Sequence, residues 1–210
     1  MLIVLQKSYD FCNYLCAKKF FIKMIIRQAT IQDAPQLLRI YAYYVQNTAV
    51  TFEWEVPSVD DFASRIAKVI ETYPYLVADD EGTIKGYAYA SRFRVRKAYD
   101  WCVESSIYID KDYRRQNVGS KLLTELERIL KLQGVTNIIA SIATTCDPND
   151  KYLTDASLHF HERHGYRFVG ELRKCGYKFH RWYNTMWTEK FIGEHSEKPK
   201  VFRKIDEIDI

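Results

Sequence analysis

No apolar run in this chain is long enough to span a bilayer; the first, Leu2–Leu5, stops at Gln6 and Lys7. Without a basic start or a long apolar centre, that run is not expected to act as a signal peptide either. Cysteine is scarce and odd in number: Cys12, Cys16, Cys102, Cys146 and Cys175 include no CxxC pair. A secreted disulfide framework is thereby excluded, and free thiols in a reducing, cytoplasmic setting are expected. Cys12 and Cys16 share a helical spacing, but no nearby histidine completes a metal site, so no metal is expected. The 8 glycines and 5 prolines form no biased segment, and no internal repeat divides the chain. Charge of one sign is also lacking. The net +4 comes from 31 basic and 27 acidic residues; residues 1–23 carry +3 of it and the segment from Lys190 is balanced, so the body between is nearly neutral. A nucleic-acid binder concentrates basic residues on its folded domain, so neither nucleic acid nor a membrane is an expected partner.

What is present is enough for one domain: 210 residues, 47% of them apolar, can close a core. Residues 1–23 read as an N-terminal extension, either an amphipathic helix or a stretch upstream of a native start at Met24. The domain is expected over 24–190, with a polar, mobile tail over 191–210. Ile25–Ala29 reads as a strand. Thr30 with Asp33 and Ser58 with Asp61 mark two helix starts, each followed by apolar residues at helical spacing. Tyr75–Ala78 and Ile84–Phe93 read as a hairpin around Asp79–Gly82, and Cys102–Ile109 as the next strand. A helix with Val118, Leu122, Leu123, Leu126, Ile129 and Leu130 on one face ends at Gly134. Then come a strand at Ile138–Ala143, a loop, a helix at Asp155–His164 and strands near Tyr166–Gly170 and Trp182–Glu189. This order implies a mixed α/β (α+β) fold with an antiparallel start and helices between later strands.

The chemistry concentrates in Trp101–Leu130, where a strand runs through a basic loop into a helix. The first N–H groups of a helix lack intrahelical acceptors and the dipole there is positive, so such a junction suits an anion. Arg114, Arg115, Gln116, Asn117, Val118, Gly119 and Ser120 form the junction. Asn117 is one of the few non-glycine residues that tolerate positive φ, and Gly119 permits close approach of a backbone. The loop lacks the glycine–lysine signature of a Walker motif and the glycines of a dinucleotide fingerprint.

With the preceding Glu104-Ser105-Ser106-Ile107-Tyr108-Ile109, this stretch resembles the acetyl-CoA motif of the GNAT superfamily of N-acetyltransferases, typically Gln/Arg-x-x-Gly-x-Gly/Ala. Arg114 takes the first position, Asn117 the first glycine and Gly119 the second. The likeness extends to phosphinothricin and methionine sulfone/sulfoximine acetyltransferases through Ala98–Ser105, His161–Tyr166, Gly176-Tyr177-Lys178, Trp182 and Phe52. It covers about Ile25 to Glu189.

The resemblance implies a mostly antiparallel sheet flanked by helices on both faces, acetyl-CoA as co-substrate, and a homodimer. It implies direct N-acetylation of a small amino acid or analogue in a ternary complex. A base near the ammonium is needed, because only a neutral amine attacks. The family places that base at Glu104; a structural Glu paired with an arginine is the other reading. His161 takes the position of the family's second acid–base group, or is simply a packed histidine, while His159 and His164 read as surface or packing residues. The pyrophosphate falls to residues 114–120 and the amide arm to the backbone of Ile107, Tyr108 and Ile109, as an added strand. Asn149 or Thr154 stands in for the family's pantetheine-contacting Asn. Phe52 faces the substrate, and its carboxylate falls to Lys97–Tyr99, with Ala98 between, to Lys178 or to Arg181. Two other readings share the fold: a protein or peptide N-acetyltransferase, and a non-enzymatic acyl-CoA-binding sensor.

Overall fold

The computed structural model describes residues 24–210; the leader, with Cys12 and Cys16, lies outside the described residues. The chain enters through β1 (Ile25–Gln28) and turns at Thr30, whose backbone N–H donates to the Asp33 carboxylate at 2.7 Å. That turn opens α1 (Ala34–Asn47), where Pro35 sits in the first turn and removes no intrahelical bond. Ser58 caps α2 (Val59–Ile70) by accepting the Asp61 N–H at 3.1 Å. β2 (Tyr75–Asp80) and β3 (Thr83–Arg92) form a hairpin whose turn residues, Glu81 and Gly82, both have positive φ. β4 (Cys102–Ile109), α3 (Val118–Gln133), β5 (Asn137–Thr144) and α4 (Ala156–Arg163) follow, then a hairpin of β6 (Arg167–Lys178) and β7 (Arg181–Phe191).

The strands make one sheet in the order β1-β2-β3-β4-β5-β7-β6, antiparallel at every junction except β4–β5. It is the mixed α/β, mostly antiparallel arrangement expected. Period-two alternation assigns its two faces. Leu76, Ala88, Val103 and Ile138 pack under α3, while Tyr75, Val77 and Tyr87 pack under α1 and α2. One irregularity positions everything that follows. The parallel pairing of β4 with β5 runs only from Cys102↔Asn137 to Glu104↔Ile139. Beyond it β4 stays with β3 and β5 with β7, so a wedge opens between Ser105–Ile109 and Ala140–Thr144.

Two segments differ from expectation. β6 reaches Lys178 rather than stopping near Gly170. It is an edge strand with largely exposed residues and two register shifts, so it lacks the alternation that marks a strand in sequence. The C-terminal segment is docked rather than loose: Trp101 Nε1 donates to the Lys200 carbonyl at 2.6 Å, and Gln133 exchanges hydrogen bonds with the Arg203 backbone. Phe202, Ile205 and Ile208 add apolar contacts to the core, which offset the ordering of a polar segment. Among the described residues no helix is long and apolar enough to cross a membrane.

Candidate active site

Glu104 occupies the last paired position of β4 before the wedge. Val103 and Ser105 point into the α3 side and are buried; Glu104, half-buried, points to the opposite face. That face carries a tyrosine array running across the sheet: Tyr75 on Tyr89 (4.8 Å between ring centres), Tyr75 on Tyr87 (5.7 Å) and Tyr87 on Tyr108 (5.4 Å). Tyr89 stands opposite Ser106 and Ser91 opposite Glu104, so the array ends beside the carboxylate. Burial pushes the phenols of Tyr87 and Tyr108 well above their usual range, which keeps them neutral. Among the described residues Glu104 makes no ion pair and no hydrogen bond. The arginine partner of the structural alternative is therefore missing among the described residues, and the carboxylate stands unpaired on this face.

Beyond the wedge lies the helix start. Arg115 and Asn117 both adopt the left-handed conformation, at φ 60 and 62. Asn117 places no side-chain cap over α3, so the first N–H groups of the helix remain open to an anion. Arg114 lies over the rings of Tyr43 and Tyr44 at 5.2 and 5.1 Å, while Gln116 donates to the Asp112 carbonyl. A depression of about 560 Å³ beside the helix start is lined by Asn117, Ser120, Lys121, Thr124 and Glu125 with Met24 and Ile26. Gly119 serves packing: a Cβ there would meet the Phe160 ring at 3.1 Å, so the glycine lets α3 close on α4. Val118 is buried beneath the same helix. Along the wedge, the main chain of Ile107, Tyr108 and Ile109 has no partner in β5, although the Tyr44 hydroxyl donates to the Ile109 carbonyl at 2.6 Å.

α4 and its C-terminal end bring two histidine rings, His161 and His164, to the other wall. His161 is 4% exposed, edge-on to Tyr166 at 5.0 Å, and its Nδ1 donates to the Ser157 carbonyl at 2.8 Å. That bond puts the proton on Nδ1 and leaves Nε2 a bare acceptor in the neutral ring. Burial holds the His161 pKa below the usual value, so the neutral ring prevails. His164, expected as a surface or packing residue, reaches Ser120 Oγ through Nε2 at 3.0 Å and so ties α4 to the start of α3. Only the long-range fold reveals this contact, across 44 residues. Asn149 and Thr154 both lie exposed in the β5–α4 loop, and neither side chain hydrogen-bonds β4.

The α1–α2 loop packs against the β6–β7 hairpin. Phe52 lies flat on the backbone of Gly176, where no Cβ would fit, and tilts against Tyr183 at 6.2 Å. Lys178 is 3% exposed and donates to the carbonyls of Thr48 and Thr51 at 2.9 and 2.8 Å, so it holds this loop instead of offering its ammonium to a ligand. Arg181 is engaged with Asp147 and Asp150 at 3.2 and 3.0 Å. Of these candidates for the substrate carboxylate, Lys97 alone has neither an ion pair nor a side-chain hydrogen bond among the described residues; Ala98 and Tyr99 sit beside it in an exposed turn. Lys178 and Arg181 are read as ordinary cations in sequence because their partners are more than 30 residues away.

Comparison with known proteins gives a consistent result. A family model described as an acetyltransferase (GNAT) domain matches residues 26–187. The phosphinothricin N-acetyltransferase of Streptomyces viridochromogenes is 33% identical over 184 residues, 87% of this chain and 95% of its own length. The L-methionine sulfoximine/L-methionine sulfone acetyltransferase of Pseudomonas aeruginosa is 33% identical over 75% of this chain and 88% of its own. Among solved structures, a GNAT superfamily phosphinothricin acetyltransferase from Sinorhizobium meliloti in complex with AcCoA superposes with TM-score 0.76 at 33% identity, covering 85% of this chain and 94% of that one.

Proposed function

The chain belongs to the GNAT acetyltransferases, and on that premise we propose that it N-acetylates the amine of a small amino acid or analogue, of the phosphinothricin or methionine sulfone kind, by direct transfer from acetyl-CoA in a ternary complex. One observation carries the reading: a half-buried carboxylate with no partner among the described residues stands where β4 and β5 part. The wedge, the uncapped start of α3 and the left-handed residues at 115 and 117 fit a pyrophosphate followed by an extended amide arm. When bound, acetyl-CoA supplies the activated acyl group. Glu104 removes the ammonium proton and so makes the nucleophile. His161, with Nε2 as the open acceptor on the opposite wall, takes the second proton that the amine sheds and, as imidazolium, returns it to the departing CoA thiolate. The N–H groups at residues 118–120 hold the pyrophosphate, with Arg114 and Arg115 adding charge. Phe52 walls the acceptor side, and Lys97 with the Ala98–Tyr99 turn meets the carboxylate.

The reading is tested by thiol release from acetyl-CoA across phosphinothricin, methionine sulfone, ordinary amino acids and short peptides. Turnover with free amino acids is expected; turnover with peptides alone would transfer the protein to the peptide-acetylating class, and tight binding without turnover to the sensors. A cytoplasmic homodimer completes the proposal. Cys102, Cys146 and Cys175 are free thiols, and the edge strand exposes Phe168 and Leu172 at 63% and 54%. Light scattering should give twice the 24.9 kDa chain mass, and a monomer at micromolar concentration would remove the dimer.

A further inference from the structure

A cleft of about 540 Å³ lies on the Glu104 face of the sheet, at the foot of β4. Its walls come from the β3–β4 loop (Phe93, Tyr99), the strands (Cys102, Ile139, Trp187) and the docked C-terminal segment (His195, Ser196, Pro199). Ile139 is the register partner of Glu104, and Cys102 is the next residue down on the same face. The cleft thus begins at the strand position next to Glu104, one backbone spacing of about 5 Å away. Aromatic and aliphatic residues make up most of its lining, with the polar residues, Glu189 and Glu194 among them, contributed by the start of β5, the end of β7 and the C-terminal segment, as in pockets that bury an apolar ligand part beside a few polar groups. The C-terminal wall is fixed in place: Ile192 N–H donates to the Thr136 carbonyl at 2.8 Å, His195 Nε2 donates to Asn137 Oδ1 at 2.7 Å, and Trp101 Nε1 holds Lys200. This wall lies outside residues 26–187, the stretch shared with the family.

The geometry points to this cleft as the side-chain pocket of the acceptor, with the segment Glu194–Pro199 as a specificity-determining wall and an α-amino acid bearing a long apolar or aromatic side chain as the substrate class. The assignment rests on the acyl-transfer reading for the role of Glu104. With the amine at Glu104, the side chain extends along β4 towards Cys102 and lies against the cluster that Phe93 forms edge-on with Tyr99 and Trp187, at 5.9 and 6.1 Å between ring centres. Burial of several carbons there separates L-phenylalanine or L-leucine from L-alanine.

Two measurements test it on the full chain. In steady-state acetylation, kcat/KM for L-phenylalanine should exceed that for L-alanine by at least about tenfold, the span that a few buried carbons provide. In Ser196→Phe, which fills the cleft from the tail side, that ratio should fall towards one. Independently, Trp101 and Trp187 line the cleft, so their emission should change saturably on titration with L-phenylalanine in the presence of CoA, which carries no acyl group to transfer. The change should be weakened in Ser196→Phe. An unaltered substrate ratio in Ser196→Phe, or no emission change with L-phenylalanine, would overturn the pocket. An emission change without acetylation of any amine would uphold the pocket and sink the acyl-transfer reading instead.

Discussion

Replacing Glu104 by glutamine is expected to lower kcat/KM for the amine by about 10²–10⁴-fold, the usual contribution of a positioned general base. Each tenfold corresponds to about 1.4 kcal/mol of barrier, so the carboxylate is assigned roughly 3–5 kcal/mol. Glutamine keeps the shape and loses only the ability to take a proton. Because Glu104 has neither an ion pair nor a hydrogen bond among the described residues, the substitution orphans no neighbour. Thermal unfolding should therefore move by no more than about 0.5 kcal/mol, as for changes away from structural partners. Acetyl-CoA affinity should also hold, since the helix start and wedge are built from other residues. A variant with more than a tenth of the wild-type turnover at neutral pH would remove Glu104 from the role of base. Equal losses of activity and stability would make it structural.

Much of the fold was legible because its signals are local. The strand Cys102–Ile109 and the helix ending at Gly134 sit where alternation, heptad-like spacing and a left-handed glycine place them. Asn117 at φ 62 likewise follows from the few side chains that tolerate that conformation. Failures arise where distant parts decide. The β6–β7 turn uses Phe179 and His180 at φ 49 and 59, positions normally marked by Asn-Gly, so no hairpin signal existed and β6 was cut short. The C-terminal segment is polar in composition, yet its backbone is held by Trp101, Thr136 and Gln133. His164 acts on Ser120, and Gly119 answers to Phe160. In each case the residue type was ordinary and the partner lay dozens of positions away. For the site, the order of strand, loop and helix was readable, whereas the engagement of Lys178 and Arg181 was not.

Lys178→Met is expected to destabilise the protein by about 2 kcal/mol at pH 7 and to raise KM for the amine. The lysine donates to two carbonyls, those of Thr48 and Thr51, on the loop that carries Phe52. Methionine fills the same volume but leaves both acceptors unpaired, at about 1–3 kcal/mol each. Relief of the desolvation penalty of a buried ammonium offsets part of that loss. For a domain of this size the melting temperature should fall by roughly 4–8 °C. The pH dependence separates this clasp from a generic packing role. Burial lowers the Lys178 pKa from 10.5 to about 8 in the folded chain. Between those values the unfolded chain holds a proton that the folded chain has released, so raising pH favours folding; below about 8 the penalty on the wild type is complete. The neutral amine still has two N–H groups for its two carbonyls. The stability gap between wild type and Lys178→Met, taken from urea unfolding, should therefore widen from pH 7 to pH 10. Lys178→Arg, a donor that does not lose its proton in this range, should lack the pH-dependent widening. A gap of the same size at both pH values, together with an unchanged KM, would show that the lysine neither titrates in its buried site nor positions the Phe52 loop.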